Sequence, residues 1–429
     1  MFRRSDDHYE ARYKRIKPGL LPGALFTLAL LTVSALLAGQ AAAQAPVVVR
    51  YWHAMGDAES AALEQQIAEF EAAQPDVAIE ATQFPYEDYR DALLRAIVAG
   101  TAPDVARLDI LWVPEFADIG ALEALDETVP GFADVAPRFF AGSLQTNVWQ
   151  GHTWGLPLEA NTQVLLVNRA HLEAAGLAVP ETMNAFTEAA CALTDEHGRY
   201  GFALAGTDFW AVAPLFYAQG GQLTDAEMTR ASGALNSPAS VRAFQTVVDL
   251  YAQGCLSPNL LGDGVGAAEG HATGRYGMIT GDSSFLRLYA RQFPDFKTHM
   301  ALIPAGAGAS ASVVAGESAV MLTDSTHKAA ALAWMNYLVS DDYQLAMAQL
   351  GVLPTLRSLA DDPTLPDAFG VFMRQLETAR ARTMSVYWYE IDILLNVRFQ
   401  AMLRGEVTVE SALNQAAAEI DALLAKGGR

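Results

Sequence analysis

The chain has 429 residues. Domains run to about 100–200 residues, so two are expected. Hydrophobic residues make up 52% and charged residues 18%, the composition of a folded chain, not a disordered one. A net charge of -21 repels phosphate backbones and anionic lipid surfaces, which argues against a nucleic-acid partner and against docking on such a membrane through the folded part.

The N-terminus reads as a leader. Arg3, Arg4, Arg12, Lys14, Arg15 and Lys17 precede an apolar run over 20–37, and Ala41-Ala42-Ala43 follows as a small-residue cleavage site. This is the pattern of a secretory signal peptide over 1–43. A retained membrane anchor is the competing reading of the same run. Gln40 stands where a lipid-bearing Cys would stand, so the expectation is an exported, periplasmic chain cleaved near Ala43 that is not a lipoprotein. Export makes Cys191 and Cys255 a disulfide candidate; two buried free thiols are the alternative.

After the leader, 47–52 reads as a strand, 59–73 as a helix stopped by Pro75, and 77–82 as a strand. A helix over 89–99 ends at Gly100, and 105–108 is a third strand. This β-α-β-α-β order predicts a parallel sheet with helices on its faces, an α/β fold. A second unit begins near Leu156-Pro157, with strands at 164–167 and 200–204 and helices at 170–175, 183–193, 209–219 and 238–252. Later strands fall at 276–280, 300–303 and 318–322, and 306–312 reads as a surface loop. Helices at 329–338, 343–349, 369–379, 388–403 and 409–424 make up most of the rest.

Catalytic signatures are missing. Ser143 and Ser232 lack the flanking pattern of a nucleophile elbow, and Gly262-Asp263-Gly264-Val265-Gly266 lacks the Lys and the setting of a phosphate loop. The eight histidines include no i, i+4 pair and neither Cys lies in a C-x-x-C, so no metal site and no cofactor are expected. Carboxylates are abundant, which leaves an exported glycoside hydrolase as a competing class.

Several motifs together resemble one family, the maltose-type (family 1) extracellular solute-binding proteins of bacterial carbohydrate ABC importers. They are Tyr51-Trp52-His53 before the first helix, Gly100-Thr101-Ala102-Pro103-Asp104-Val105, Leu122-Glu123-Ala124-Leu125-Asp126, Trp154-Gly155-Leu156-Pro157, Gly220-Gly221 and Asn236-Ser237-Pro238. Their order and spacing extend from Val47 to about Ala425. The resemblance implies a two-lobe periplasmic binding protein fold, each lobe a βα sheet layered with helices, with the ligand cleft at the hinge. It implies lobe one over 46–157 plus 318–370 and lobe two over 158–317 plus 371–429.

By the same resemblance, Glu59, Arg90, Asp109, Glu159, Asn161 and Arg382 fall at ligand-contact positions. Each has a plainer reading: a carboxylate at a helix start for Glu59, a solvated helix face for Arg90, a cap for Asp109, hinge hydrogen bonds for Glu159 and Asn161, an ion pair for Arg382. Sugar rings stack on aromatic faces while their hydroxyls take charged and amide partners. Trp388, in Ser385-Val386-Tyr387-Trp388-Tyr389, coincides with the family's stacking Trp, and Trp210 sits at a helix start towards the cleft. Trp52 reads as core. Asp282 and Glu317 stand where disaccharide binders carry Trp, which implies a smaller or more polar ligand or a different ring orientation. The implied function is high-affinity binding of a mono- or oligosaccharide and its delivery to membrane-embedded ABC permease subunits, by a monomer without catalysis. A polyol, a glycerophosphodiester or a cationic sugar is the alternative ligand.

Overall fold

The computed structural model describes residues 45–426, and the chain from Val47 onward forms one compact unit. The expected signal peptide lies outside the described residues. Among the described residues no helix is long and apolar enough to cross a membrane. The described residues form twelve strands in chain order: β1 Val47–His53, β2 Val77–Gln83, β3 Val105–Asp109, β4 Val148–Trp149, β5 His152–Thr153, β6 Leu156–Thr162, β7 Val164–Val167, β8 Tyr200–Ala203, β9 Tyr276–Gly281, β10 His299–Ala301, β11 Ser312–Met321 and β12 Ala379–Arg380.

They build two main sheets and a hairpin. One sheet has the order β12-β11-β3-β1-β2 with β6 added onto β11; the other runs β10-β7-β9-β8. The expected parallel βαβ pairing holds for β1, β2 and β3. The rest is mixed. β11 runs antiparallel to β3 and β6, and β7 runs antiparallel to β9 and β10. Helices set the parallel part, since a strand that returns through a helix re-enters in the same sense. β6 and β11 instead enter without a crossover helix.

Local chemistry accounts for the elements. β1 alternates buried Val49, Tyr51 and His53 with more open neighbours, the period of a strand with one covered face. The helix Tyr86–Ala99 stops at Gly100, whose φ of 67° lets its N–H bond back to Ala96 and Ile97. The helix Pro238–Ala252 has Pro at its first turn and Ser237 as cap, accepting from the Ser240 N–H. The helix Trp388–Leu403 buries Trp388, Ile391, Leu395, Phe399 and Met402 at helical spacing.

Two cores result. One gathers Tyr51, Phe70, Trp334 and Tyr343 under the first sheet; the other gathers Phe186, Phe202, Phe216, Phe244 and Phe399 around the second. A further cluster joins Val164 and Ile279 of the second sheet to Phe369, Phe372 and Leu353. Cys191 and Cys255 are disulfide-bonded within the second part, with Cα atoms 4.6 Å apart. This decides between the bridge and the free thiols that the sequence left open.

Some expectations need correction. The strand expected over 318–322 is the ten-residue β11, beginning at Ser312, so the expected loop ends before it. Leu156–Thr162 is a full strand. The helix expected over 369–379 is Phe369–Leu376 followed by β12. A helix over Ser283–Gln292 was not anticipated.

Candidate functional site

β3, β6 and β11 converge, and their meeting point carries the most buried charge. Glu317 on β11 lies opposite Asp109 on β3 and Glu159 on β6, and the register of β11 against β6 shifts between Glu317 and Ser318. Gly316 makes this possible. Its φ is 146°, and a Cβ there would collide with the Glu159 carbonyl. Arg107, only 6% exposed, pairs with Glu159 at 2.8 Å and with Glu317 at 3.7 Å. Burial opposes the Arg107 charge, but the two carboxylates outweigh it and hold its pKa well above the usual value. One cation thus faces two part-buried carboxylates. Burial, helped by the charges of Asp109, Glu159 and Glu59, pushes the Glu317 pKa well up against the opposing pull of Arg107. The closer ion pair is with Glu159.

A second cluster lies beyond β3. The Asp109 carboxylate accepts from the Tyr86 hydroxyl at 2.7 Å and from the Leu111 N–H at 2.8 Å. The Tyr86 and Trp112 rings stack with centroids 5.4 Å apart, and the Trp112 indole N–H donates to the Tyr389 hydroxyl at 3.0 Å. Across from them is Arg382. Its guanidinium carbon lies 5.4 Å from the Trp388 ring centroid and 5.6 Å from that of Trp210. Arg382 is 9% exposed and its Nε has no hydrogen-bond partner among the described residues. Burial lowers its pKa, while Asp109, Tyr217, Asp392 and Asp208 oppose that shift.

Beside Tyr389 is a cavity of about 510 Å³, lined by Arg90 and Glu115 together with Tyr387, Trp388 and Tyr389. That volume is ordinary for a small-molecule site, about 300–1,000 Å³. Apolar rings and charged groups line it together, which suits a ligand with an apolar face and polar edges.

The predicted residues divide accordingly. Asp109, Trp210, Arg382 and Trp388 come together, as do Glu159 and Glu317. Glu59 is close enough for its charge to bear on Glu317, and its carboxylate also accepts from the Gly56 N–H at 3.4 Å. Arg90 lines the cavity but is ion-paired with Glu115, its Nε donating at 2.8 Å. Asn161 accepts from the neighbouring Thr162 N–H at 3.0 Å. Two expectations need correction. Asp282 caps the helix Ser283–Gln292, accepting from the Ser284 N–H at 2.9 Å, so its carboxylate is engaged locally. Trp388 is not an open platform. It is 3% exposed and packs edge-on against Phe209 in the second core, because the first turn of its helix points inwards.

Arg107, Tyr86, Trp112 and Tyr389 were not singled out. The signal for Arg107 was available: a lone cation inside the apolar strand Val105-Ala106-Arg107-Leu108. Nothing local marks the other three, which meet only through the tertiary fold.

Two sheets, antiparallel strands passing between them and an aromatic, charged cleft define the class of two-lobe solute-binding proteins. The chain belongs to the bacterial extracellular solute-binding protein family, whose model matches residues 56–345. Among solved structures it is similar to the sugar-binding protein MalE from Xanthomonas citri, with 24% identity over 89% of this chain and 98% of that one and a TM-score of 0.80. It is also similar to the cyclic alpha-maltosyl-1,6-maltose binding protein from Arthrobacter globiformis, with 25% identity over 89% and 100% of the two chains and a TM-score of 0.79. A Streptomyces antibioticus protein named as a lipoprotein is 29% identical over 360 residues, 80% of this chain and 78% of that one. The expectation of a periplasmic chain that is not a lipoprotein is overturned by these findings, since the family is described as extracellular and this relative is named a lipoprotein.

Proposed function

We propose that the protein captures a carbohydrate in the cleft around Asp109, Arg382, Trp210 and Tyr389 and hands it to the permease of an ABC importer, without chemical turnover and as a monomer. The observation that carries this reading is Arg382, a buried guanidinium flanked by two indole faces, with one N–H unpartnered. Such a group offers hydroxyl-binding donors beside the part-buried Trp210 ring. The names of the two solved relatives, a sugar-binding protein and a maltosyl-maltose binder, support the ligand class. The moving bodies are 46–157 with 318–370 and 158–317 with 371–429, hinged at β6 and β11. The Trp112–Tyr389 hydrogen bond is a contact between them.

The test is a thermal-shift screen against mono-, di- and oligosaccharides and polyols. A ligand at 100 times Kd adds about 2.7 kcal/mol of stability. Hydrogen bonds to a charged group are worth about 1.5–3 kcal/mol, so Arg382→Gln should weaken calorimetric affinity for the sugar found at least tenfold. A library in which no saccharide stabilises the protein overturns the reading. Release of product from chromogenic glycosides overturns the absence of turnover.

A further inference from the structure

Two arginines are buried among the described residues, Arg107 at 6% exposure and Arg382 at 9%. Their surroundings differ. Arg107 is paired with the carboxylates of Glu159 and Glu317. The Arg382 guanidinium forms no ion pair and no hydrogen bond among the described residues. Its Nε is the nitrogen sealed from solvent without a partner, which leaves its Nη atoms as the donors open to a ligand.

Three carboxylates act on Arg382 from a distance, and each is engaged elsewhere. Asp109 accepts from the Tyr86 hydroxyl and the Leu111 N–H. Asp208 caps its helix, accepting from the Ala211 N–H at 3.1 Å, and Asp392 accepts from the Phe209 N–H at 2.9 Å. Together they do not offset burial, which still lowers the Arg382 pKa. A buried cation is costly unless a partner neutralises it directly. No described side chain does so.

The neighbours narrow what that partner is. The guanidinium lies over the Trp210 and Trp388 rings. Aromatic rings take the planar face of a guanidinium and leave its edge, with the forked N–H donors, to a polar partner. A carboxylate is planar and accepts two parallel N–H bonds from that edge, where a hydroxyl accepts one. Arg380 is exposed and lies over the Tyr217 ring, its guanidinium carbon 5.8 Å from the centroid. The charges of Arg380 and Arg382 both bear on the Tyr217 hydroxyl, so a second cation lies near the first.

We infer that Arg382 is an anion-recognising group and that the sugar it receives carries a carboxylate, as a uronic acid or a chain ending in one. The carboxylate takes the forked donors of Arg382, and the apolar face of the sugar ring lies towards the part-buried Trp210. This rests on the carbohydrate reading above and names the chemical class of its ligand.

The experiment is calorimetric titration of the full chain with matched sugars: glucuronate beside glucose, galacturonate beside galactose, mannuronate beside mannose, and the dimer of each. Glucose 6-phosphate and glucosamine complete the set. In the pair that binds, the acid should bind at least about tenfold more tightly than its neutral parent. Arg382→Gln should bring that ratio to within about threefold of one, while the ligand-free melting temperature stays level or rises, because an uncompensated buried charge is removed. Arg382→Lys keeps the charge and loses the fork, so its ratio should fall between those of the parent chain and the Gln variant. A neutral sugar that binds as tightly as its acid, or that binds where no acid does, overturns the inference and leaves the carbohydrate reading standing. A phosphate or ammonium sugar that binds more tightly than every acid does the same, as does a ratio that survives Arg382→Gln. If Arg382→Gln fails to fold, a ratio undiminished in Arg382→Lys overturns it. If no saccharide binds, charged or neutral, both readings fall.

Discussion

Trp388 and Arg107 show how one side chain's burial changes the meaning of its neighbours. Trp388 presents one ring face to Arg382 and an edge to Phe209 while almost fully enclosed. Trp388→Ala should therefore cost about 3–5 kcal/mol of stability, the range for truncating a buried large aromatic, in urea denaturation. Tyr389, 52% exposed, is the aromatic of the same run that reaches the cleft. Tyr389→Phe should leave stability within about 0.5 kcal/mol and alter only closure and ligand affinity. Arg107 is the opposite case, a charge that serves other charges. Arg107→Met strands Glu159 beside Glu317 and should destabilise by about 3–5 kcal/mol. Adding Glu159→Gln should recover part of that loss, and a double-mutant cycle by denaturant titration would measure the coupling. Additive effects would mean that the pair is not coupled.

At the scale of elements, β11 and the disulfide have the largest consequences. β11 pairs with β12 at its start, with β6 from Val314 to Ala319 and with β3 from Glu317 to Met321, so the β3 pairing begins at Glu317, beside the register shift against β6. The middle of β11, Ala315 to Glu317, is only half-buried while both ends are buried. The disulfide ties the helix Met183–Ala192 to the turn after the helix Pro238–Ala252, at a sequence separation of 64. The chain-entropy estimate for a loop of that length is about 4 kcal/mol. Cys191→Ser with Cys255→Ser should lower stability by up to that amount. Ligand affinity should hold, since neither cysteine lines the cleft beneath Tyr389. A calorimetric melt and a titration of the same sample check both parts.

For the whole molecule, stability depends on pH through two buried histidines. Burial, with the Arg107 charge, lowers the His53 pKa from 6.5 to about 4. Burial also lowers that of His271 to about 4, against the hydrogen bond at the Tyr276 carbonyl. Below pH 6.5 the unfolded chain binds protons that the folded chain refuses. Stability therefore falls as pH drops from about 6.5 to about 4, by roughly 3 kcal/mol for each histidine at the bottom of that window. Glu317 acts oppositely. Burial raises its pKa, so its contribution is present below the unfolded carboxylate pKa and is lost as pH rises through the folded value. His53→Gln isolates the first effect: denaturation midpoints measured between pH 7.5 and 4.5 should fall less steeply than in the parent chain. An unchanged slope would assign the pH dependence elsewhere.

Periodicity and punctuation determined most of the elements, because they depend on local chemistry: alternation in β1, Gly100 ending one helix, Ser237-Pro238 opening another. The motif order from Val47 onward was likewise enough to indicate two lobes and a cleft. Several features lay beyond local chemistry. β6 is not legible locally, because its neighbours in space, β11 and Leu353, are distant in sequence, and strand pairing has no local signature. Asp282 looked like a cleft residue until the helix it caps was known. Trp388 looked like a platform because three aromatics in a row suggest exposure, yet burial depends on what packs opposite, here Phe209 and Arg382. The pairing of Arg107 with Glu159 and Glu317, and the meeting of Trp112 with Tyr389, are decided by tertiary structure alone, since each joins strands or helices that local sequence cannot place side by side.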